Sequence, residues 1–306
     1  MSACRPFDQV TATIERELMS YIVIGATGHL GTLTIDSLLE RGIDPNDIVA
    51  AGRNTDRLAA LAERGVRTQA IDLNDQATLT ALFSADDTVL LISGSELGQR
   101  VAQHGNVIDA AKTAGVKRLI YTSAPKADTS ALVLAPEHKA TEELIAASEL
   151  PATILRNGWY SENYLPAVEQ ARQSGTLLTS AGDGRVSSAS RRDYAEAAAV
   201  ALIDDTTTGK TYELSGDTAW DQQELADAIS VTIGGEVAVH NVTPDEHLAL
   251  LKAAGVDEGM AGFLVALDAN TRDGLLGETS GELSALIGRP TTPLVDGLRA
   301  AVAVSA

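Results

Sequence analysis

The chain has 306 residues, 44% of them hydrophobic, which is enough to bury one large core or two unequal ones. Its formal net charge of −19 opposes nucleic acid and anionic membrane surfaces as partners. Cys4 alone forms neither a disulfide framework nor a metal cluster, the five histidines show no close ligand pair, and no stretch reaches the ~20 apolar residues of a membrane span, so a reducing cytoplasm is the expected setting.

Residues 1–18 mix charges with Pro6, lack the apolar core of a secretory signal and are expected to be a disordered extension. Tyr21 to Ile24 reads as a strand buried on both faces, running directly into Gly25-Ala26-Thr27-Gly28-His29-Leu30-Gly31. Gly25 permits the tight reversal, Gly28 leaves room for a pyrophosphate against the backbone, and Gly31 lets the following helix pack closely on the sheet. The start of that helix then faces the phosphates with its amide groups and its dipole. Without the flanking strand and helix, the same glycines would read as an ordinary tight turn.

A second strand at 48–51 ends in Gly52-Arg53-Asn54. An acidic residue about 20 positions past the glycines suits the ribose of NAD, whereas an arginine suits the 2′-phosphate of NADP, so Arg53 favours NADPH over NADH. A third strand at 68–71 delivers Asp72 and Leu73 to the same edge, Asp72 for the adenine amino group or as a cap, Leu73 against the ring. A fourth at 88–92 ends in Ser93-Gly94-Ser95, small residues across which a dinucleotide can run. The helix at 98–114 carries His104, read as a packing or hydrogen-bonding residue, and a fifth strand spans 117–122. A helix at 136–148 and a sixth strand at 152–156 complete an α/β, doubly wound parallel sheet.

Asn157-Gly158-Trp159-Tyr160-Ser161-Glu162-Asn163-Tyr164 then places three aromatics within six residues, as a wall for a flat ligand or as a plug between two lobes. Beyond it come a turn at 181–184, a helix from Arg191 to Ile203, a strand at 211–214, a helix at 221–233, a strand at 237–242, helical patterns at 244–254 and 259–267, and a last helix opened by Pro293. The expected organisation is a dinucleotide-binding domain at 19–157 and a smaller, mainly helical lobe at 158–306 that sends some chain back to the first domain.

Tyr121-Thr122-Ser123 at the end of the fifth strand resembles the serine strand of short-chain dehydrogenases, but the Tyr-x-x-x-Lys pair of that family is replaced by His138 and Glu142. The glycine loop, Arg53, Glu-Leu-Gly-Gln-Arg at 96–100, the run at 155–164 and Gly-Arg-Pro-Thr-Thr at 288–292 together resemble type 2 NAD(P)H:quinone oxidoreductases of the NmrA-like family, atypical short-chain dehydrogenase/reductases. The resemblance implies NADPH, with NADH a weaker substitute, held by Gly25 to Leu30, Arg53, Ser93 to Ser95, Asn157 to Glu162 and Arg191. It implies a quinone beside Trp159, Tyr160 and Asn163, and leaves room for a homodimer. The expected reaction is hydride transfer without flavin or metal, with Tyr160, His138, Ser123 or water at the catalytic centre. Two alternatives stand beside it: a non-catalytic NADP(H)-binding redox sensor, and a reductase of another conjugated carbonyl or a dye.

Overall fold

The computed structural model describes residues 19–94, 96 and 98–305. The expected extension at 1–18 and the candidate Ser95 lie outside the described residues. Strands β1 (Tyr21–Ile24), β2 (Ile48–Gly52), β3 (Arg67–Ala70), β4 (Thr88–Leu91), β5 (Arg118–Ser123) and β6 (Ala152–Asn157) alternate with helices α1 (His29–Glu40), α2 (Thr55–Ala62), α3 (Gln76–Thr80), α4 (Arg100–Ala114) and α5 (Ala135–Ser148). There follow α6 (Leu165–Ser174), β7 (Thr176–Thr179), α7 (Arg191–Ile203), β8 (Thr211–Leu214), α8 (Gln222–Ile233) and β9 (Ala238–Asn241). The chain closes with α9 (Pro244–Ala253), α10 (Glu258–Arg272), α11 (Glu282–Ile287) and α12 (Leu294–Ser305).

Seven strands form one parallel sheet in the order β3-β2-β1-β4-β5-β6-β8. This is a doubly wound Rossmann-type sheet whose order reverses between β1 and β4, so a crevice opens beyond the carboxyl ends of those two strands. Alternation along β1 builds both layers. Val23 faces α1 and α7 with Ala50, Leu90, Ile120 and Leu155, while Ile22 and Ile24 face α4 and α5 with Val49, Val89, Leu91 and Leu119. Helix α7 is a row of buried alanines at 195, 197, 198, 199 and 201, which lets it lie close against α1.

A third core, around Val168, Leu177, Trp220, Leu225, Ile229 and Leu298, belongs to the second half of the chain. In that half β8 joins the main sheet beside β6, and β7 pairs with β9 in a separate parallel ribbon. Helix α6, strand β7 and helix α11 have no counterpart in the sequence reading. Each is short, and β7 alternates buried and half-buried residues over only four positions. Strand β3 begins one residue earlier than expected, at Arg67, and is largely exposed as the sheet edge. No helix among the described residues is long and apolar enough to cross a membrane.

The fold depends on a close approach at Gly31, where a Cβ would lie 2.3 Å from the Gly25 carbonyl oxygen. Gly31→Ala is therefore expected to cost at least ~2 kcal/mol in urea unfolding. Gly105→Ala, in α4 with Leu144 no nearer than 3.7 Å, is expected to be neutral or to gain up to ~1 kcal/mol.

Candidate active site

The glycine turn is built by backbone contacts. Gly25 has φ +86°, and the amides of Gly25 and Ala26 both donate to the Ala51 carbonyl at 3.0 and 3.1 Å, tying the turn to β2. Gly28 caps α1 without a side-chain hydrogen bond, and the first turn of α1 carries no acidic residue. This helix end is suited to an anion, since no carboxylate competes for its amides.

In front of it lies a cavity of about 430 Å³ at the reversal of strand order. Gly25, Thr27, Gly28, His29, Leu30 and Gly31 line one side, Gly52 and Arg53 the end of β2, Asp72 and Leu73 the end of β3, and Ser93, Gly94 and Glu96 the end of β4. Tyr160 and Arg191 close its far side. Ala26 is fully buried behind the turn and does not reach the cavity. Asp72 lines the cavity while its Oδ1 accepts from the Asn74 amide at 2.9 Å, and Asp75 caps α3. The elements of this cavity fit a dinucleotide: an uncapped helix start for the pyrophosphate, an arginine at the β2 end, and small residues across β4.

Sequence reading treats 157–164 as one wall or as a plug between two lobes, and the structure divides it. Tyr160 faces the dinucleotide cavity, whereas Trp159 and Gly158 line a second cavity of about 350 Å³ with Lys126, Glu213, Leu275 and Glu278. Neighbouring residues of an extended segment point to opposite sides, and this segment runs as a bridge, Tyr160 pairing with Ala189. The other members support it. Asn157, buried at the end of β6, donates from Nδ2 to the Tyr160 hydroxyl at 3.3 Å, and its Oδ1 has no protein partner. The Ser161 hydroxyl lies 2.9 Å from that of Ser188. Glu162 accepts the Arg191 amide at the start of α7, and Asn163 Oδ1 accepts from the Arg191 guanidinium at 3.1 Å. Arg191 is thus held 5.3 Å above the Tyr160 ring, and Asn163 serves that arginine instead of standing as a wall beside Trp159.

The other two catalytic candidates are enclosed. His138 is buried, with Nδ1 2.8 Å from the Tyr121 hydroxyl, and lines neither cavity. Burial, then the nearby Arg100 charge, pulls its pKa down to about 3, so it holds no imidazolium to give away at neutral pH. Ser123 donates to Glu142 at 2.5 Å, and Glu142 is paired with Arg156 at 2.7 Å. Where a tyrosine–lysine proton relay would stand, this chain has a buried ion pair joined by Glu213 and Asp128.

Sequence reasoning passed over Glu96, Gln103 and Ile92 in the first cavity and Lys126 and Glu213 in the second. Their signal was position alone: each stands at or just beyond the carboxyl end of a sheet strand, or on α4 behind one. Among the described residues there is no group of His, Cys, Asp and Glu side chains able to hold a metal ion.

Residues 25–205 match the family model described as NAD(P)H-binding. The chain is 44% identical to quinone oxidoreductase 2 of Escherichia coli over 90% of its length and 96% of that protein. It belongs to this NAD(P)H-binding family. The crystal structure of the NADPH-dependent quinone oxidoreductase of E. coli complexed with NADPH superposes on this family member with a TM-score of 0.87 and 42% identity, over 94% of this chain and all of that one. Triphenylmethane reductase of Citrobacter sp., complexed with NADP(H), gives a TM-score of 0.84 and 35% identity, over 92% of this chain and all of that one.

His104 shares the fate of His138: burial first, then Arg100 and His138, lower its pKa to about 3. The unfolded chain takes up these two protons below about pH 6.5 while the folded chain does not, so acidification from there towards pH 3 removes up to ~1.4 kcal/mol per pH unit per histidine. His104→Gln is expected to flatten the fall of urea-unfolding free energy between pH 6.5 and 5 by about one such increment; an unchanged slope would show that His104 titrates normally.

Proposed function

We infer that this protein is an NADPH-dependent quinone oxidoreductase that moves hydride directly from nicotinamide to a quinone without flavin. The observation that carries the reading is the pair of cavities on either side of the 157–160 segment, one shaped for a dinucleotide and the other lined by an indole. The likeness to quinone oxidoreductase 2 supports the reaction type.

In this reading the amides at the start of α1 hold the pyrophosphate, Arg53 the 2′-phosphate, and Asp72 and Leu73 the adenine. Arg191 and Tyr160 border the path towards nicotinamide, and the quinone enters from the second cavity along Trp159 to meet the nicotinamide ring at the edge of the 157–160 segment, since direct transfer needs the two rings in contact. When bound, NADPH supplies the hydride. The chain's own work is orientation: a quinone becomes aromatic on accepting hydride and a proton, so juxtaposition supplies most of the catalysis. Of the three side chains weighed for the catalytic centre, Tyr160 alone faces a cavity. Burial raises its pKa, so its phenol stays protonated across the working range on the cofactor side, and water supplies the proton that the reduced quinone oxygen takes up.

A second reading is reduction of a conjugated dye. The likeness to triphenylmethane reductase favours it.

Anaerobic oxidation of NADPH by the purified, flavin-free protein is expected to be saturable in benzoquinone. Trp159→Ala should raise the quinone KM about 10-fold while NADPH affinity stays within ~2-fold, since an aromatic contact adds about 0.5–1.5 kcal/mol to the area it buries. NADPH binding without turnover on quinones or dyes would favour the redox sensor.

A further inference from the structure

The dinucleotide cavity holds a carboxylate that the cofactor reading leaves without a role. Glu96 lies across the mouth from Arg53, and both line the cavity. Glu96 Oε1 accepts from Arg53 Nη1 at 2.5 Å, and Oε2 accepts from Gln103 Nε2 at 3.2 Å. Gln103 is itself buried on α4, so the carboxylate is held from two sides.

Gly94, the last described residue before Glu96, is anchored on both its amide and its carbonyl. The amide donates to His104 Nε2 at 3.1 Å and the carbonyl accepts from Arg100 Nε at 2.8 Å. Arg100 in turn pairs with Glu137 at 2.7 Å. Arg53 and Gln103 keep the Glu96 carboxyl below the usual range, ionised at neutral pH.

Arg53 thus meets an incoming cofactor already neutralised, with Asp72 adding a second carboxylate to the same end of the cavity. The nearby Arg57 donates to the Thr27 carbonyl at 2.6 Å and is committed to the turn. A 2′-phosphate must displace Glu96 to reach Arg53 and then sit beside its negative charge. A 2′-hydroxyl has no such conflict, because a carboxylate accepts its hydrogen bond.

We propose that Glu96 is a specificity-determining residue of the cofactor site, competing with the 2′-phosphate of NADPH for Arg53 and accepting the 2′-hydroxyl of NADH, so that the preference between the two cofactors is narrowed. The proposal rests on the dinucleotide reading of the cavity. Exposed ion pairs are weak, so the competition amounts to about two- to five-fold in affinity.

The test is direct titration of NADPH and NADH, followed by the fluorescence of the reduced nicotinamide, into the full chain and its Glu96→Gln and Arg53→Ala variants. Glu96→Gln is expected to bind NADPH about two- to five-fold tighter and NADH no tighter, while Arg53→Ala weakens NADPH selectively. Unchanged or weaker NADPH binding by Glu96→Gln would overturn the proposal. So would an equal tightening of both cofactors, which would reduce Glu96 to a charge acting on the shared pyrophosphate. If the unaltered chain bound neither cofactor, the dinucleotide reading itself would fall, an outcome distinct from binding with an unchanged ratio.

Discussion

The contact between Gly31 and the Gly25 carbonyl sets the geometry of the rest. It brings α1 down onto the end of β1, which aims the uncapped helix start into the cavity and gives α7 a close surface to pack on. Helix α7 passes the constraint onward, since its first residue is Arg191. Its N-terminus is held by buried Asp193, which accepts from Arg289 at 2.7 Å, from the Thr292 hydroxyl and from the Thr292 amide. The Gly-Arg-Pro-Thr-Thr run at 288–292 therefore acts at a distance: it stiffens the helix that presents Arg191 over Tyr160.

The centre of the sheet was legible because β1, β2, β4 and β5 are buried on both faces and announce themselves as apolar runs closed by glycine or small polar residues. Gly31 was legible for the same reason, a backbone approach that only one residue type permits. The site was legible where chemistry depends on backbone, as at 25–31, or on a strand-end position, as at Arg53 and Asp72. It was hidden where side-chain direction decides. Nothing in the order Trp159-Tyr160 says that the two rings part company, because that follows from the extended segment and its bridge to Ala189. Likewise His138 and Ser123 occupy the right neighbourhood in the chain, and only the packing of α5 against β5 and β6 shows them enclosed.

The Ser123–Glu142–Arg156 arrangement explains how the fold does without the tyrosine–lysine pair. A lysine ammonium at this place would leave a positive charge to be compensated at the ends of β5 and β6. Here Arg156 is surrounded by Glu142, Glu213 and Asp128, and Glu142 and Glu213 hold the guanidinium firmly in its charged form. Removing one partner of such a buried group is costly, which makes the cluster a structural anchor for the floor of the second cavity, where Glu213 also takes the Lys126 amide at 3.1 Å.

The divided segment at 159–160 also bears on how such a protein changes over generations. Because the indole and the phenol serve different compartments, the residues around the second cavity can be exchanged without disturbing the grip on the dinucleotide. Selection can thus act on one compartment while the other is kept intact. A scaffold partitioned in this way can vary the lining of its second cavity one side chain at a time.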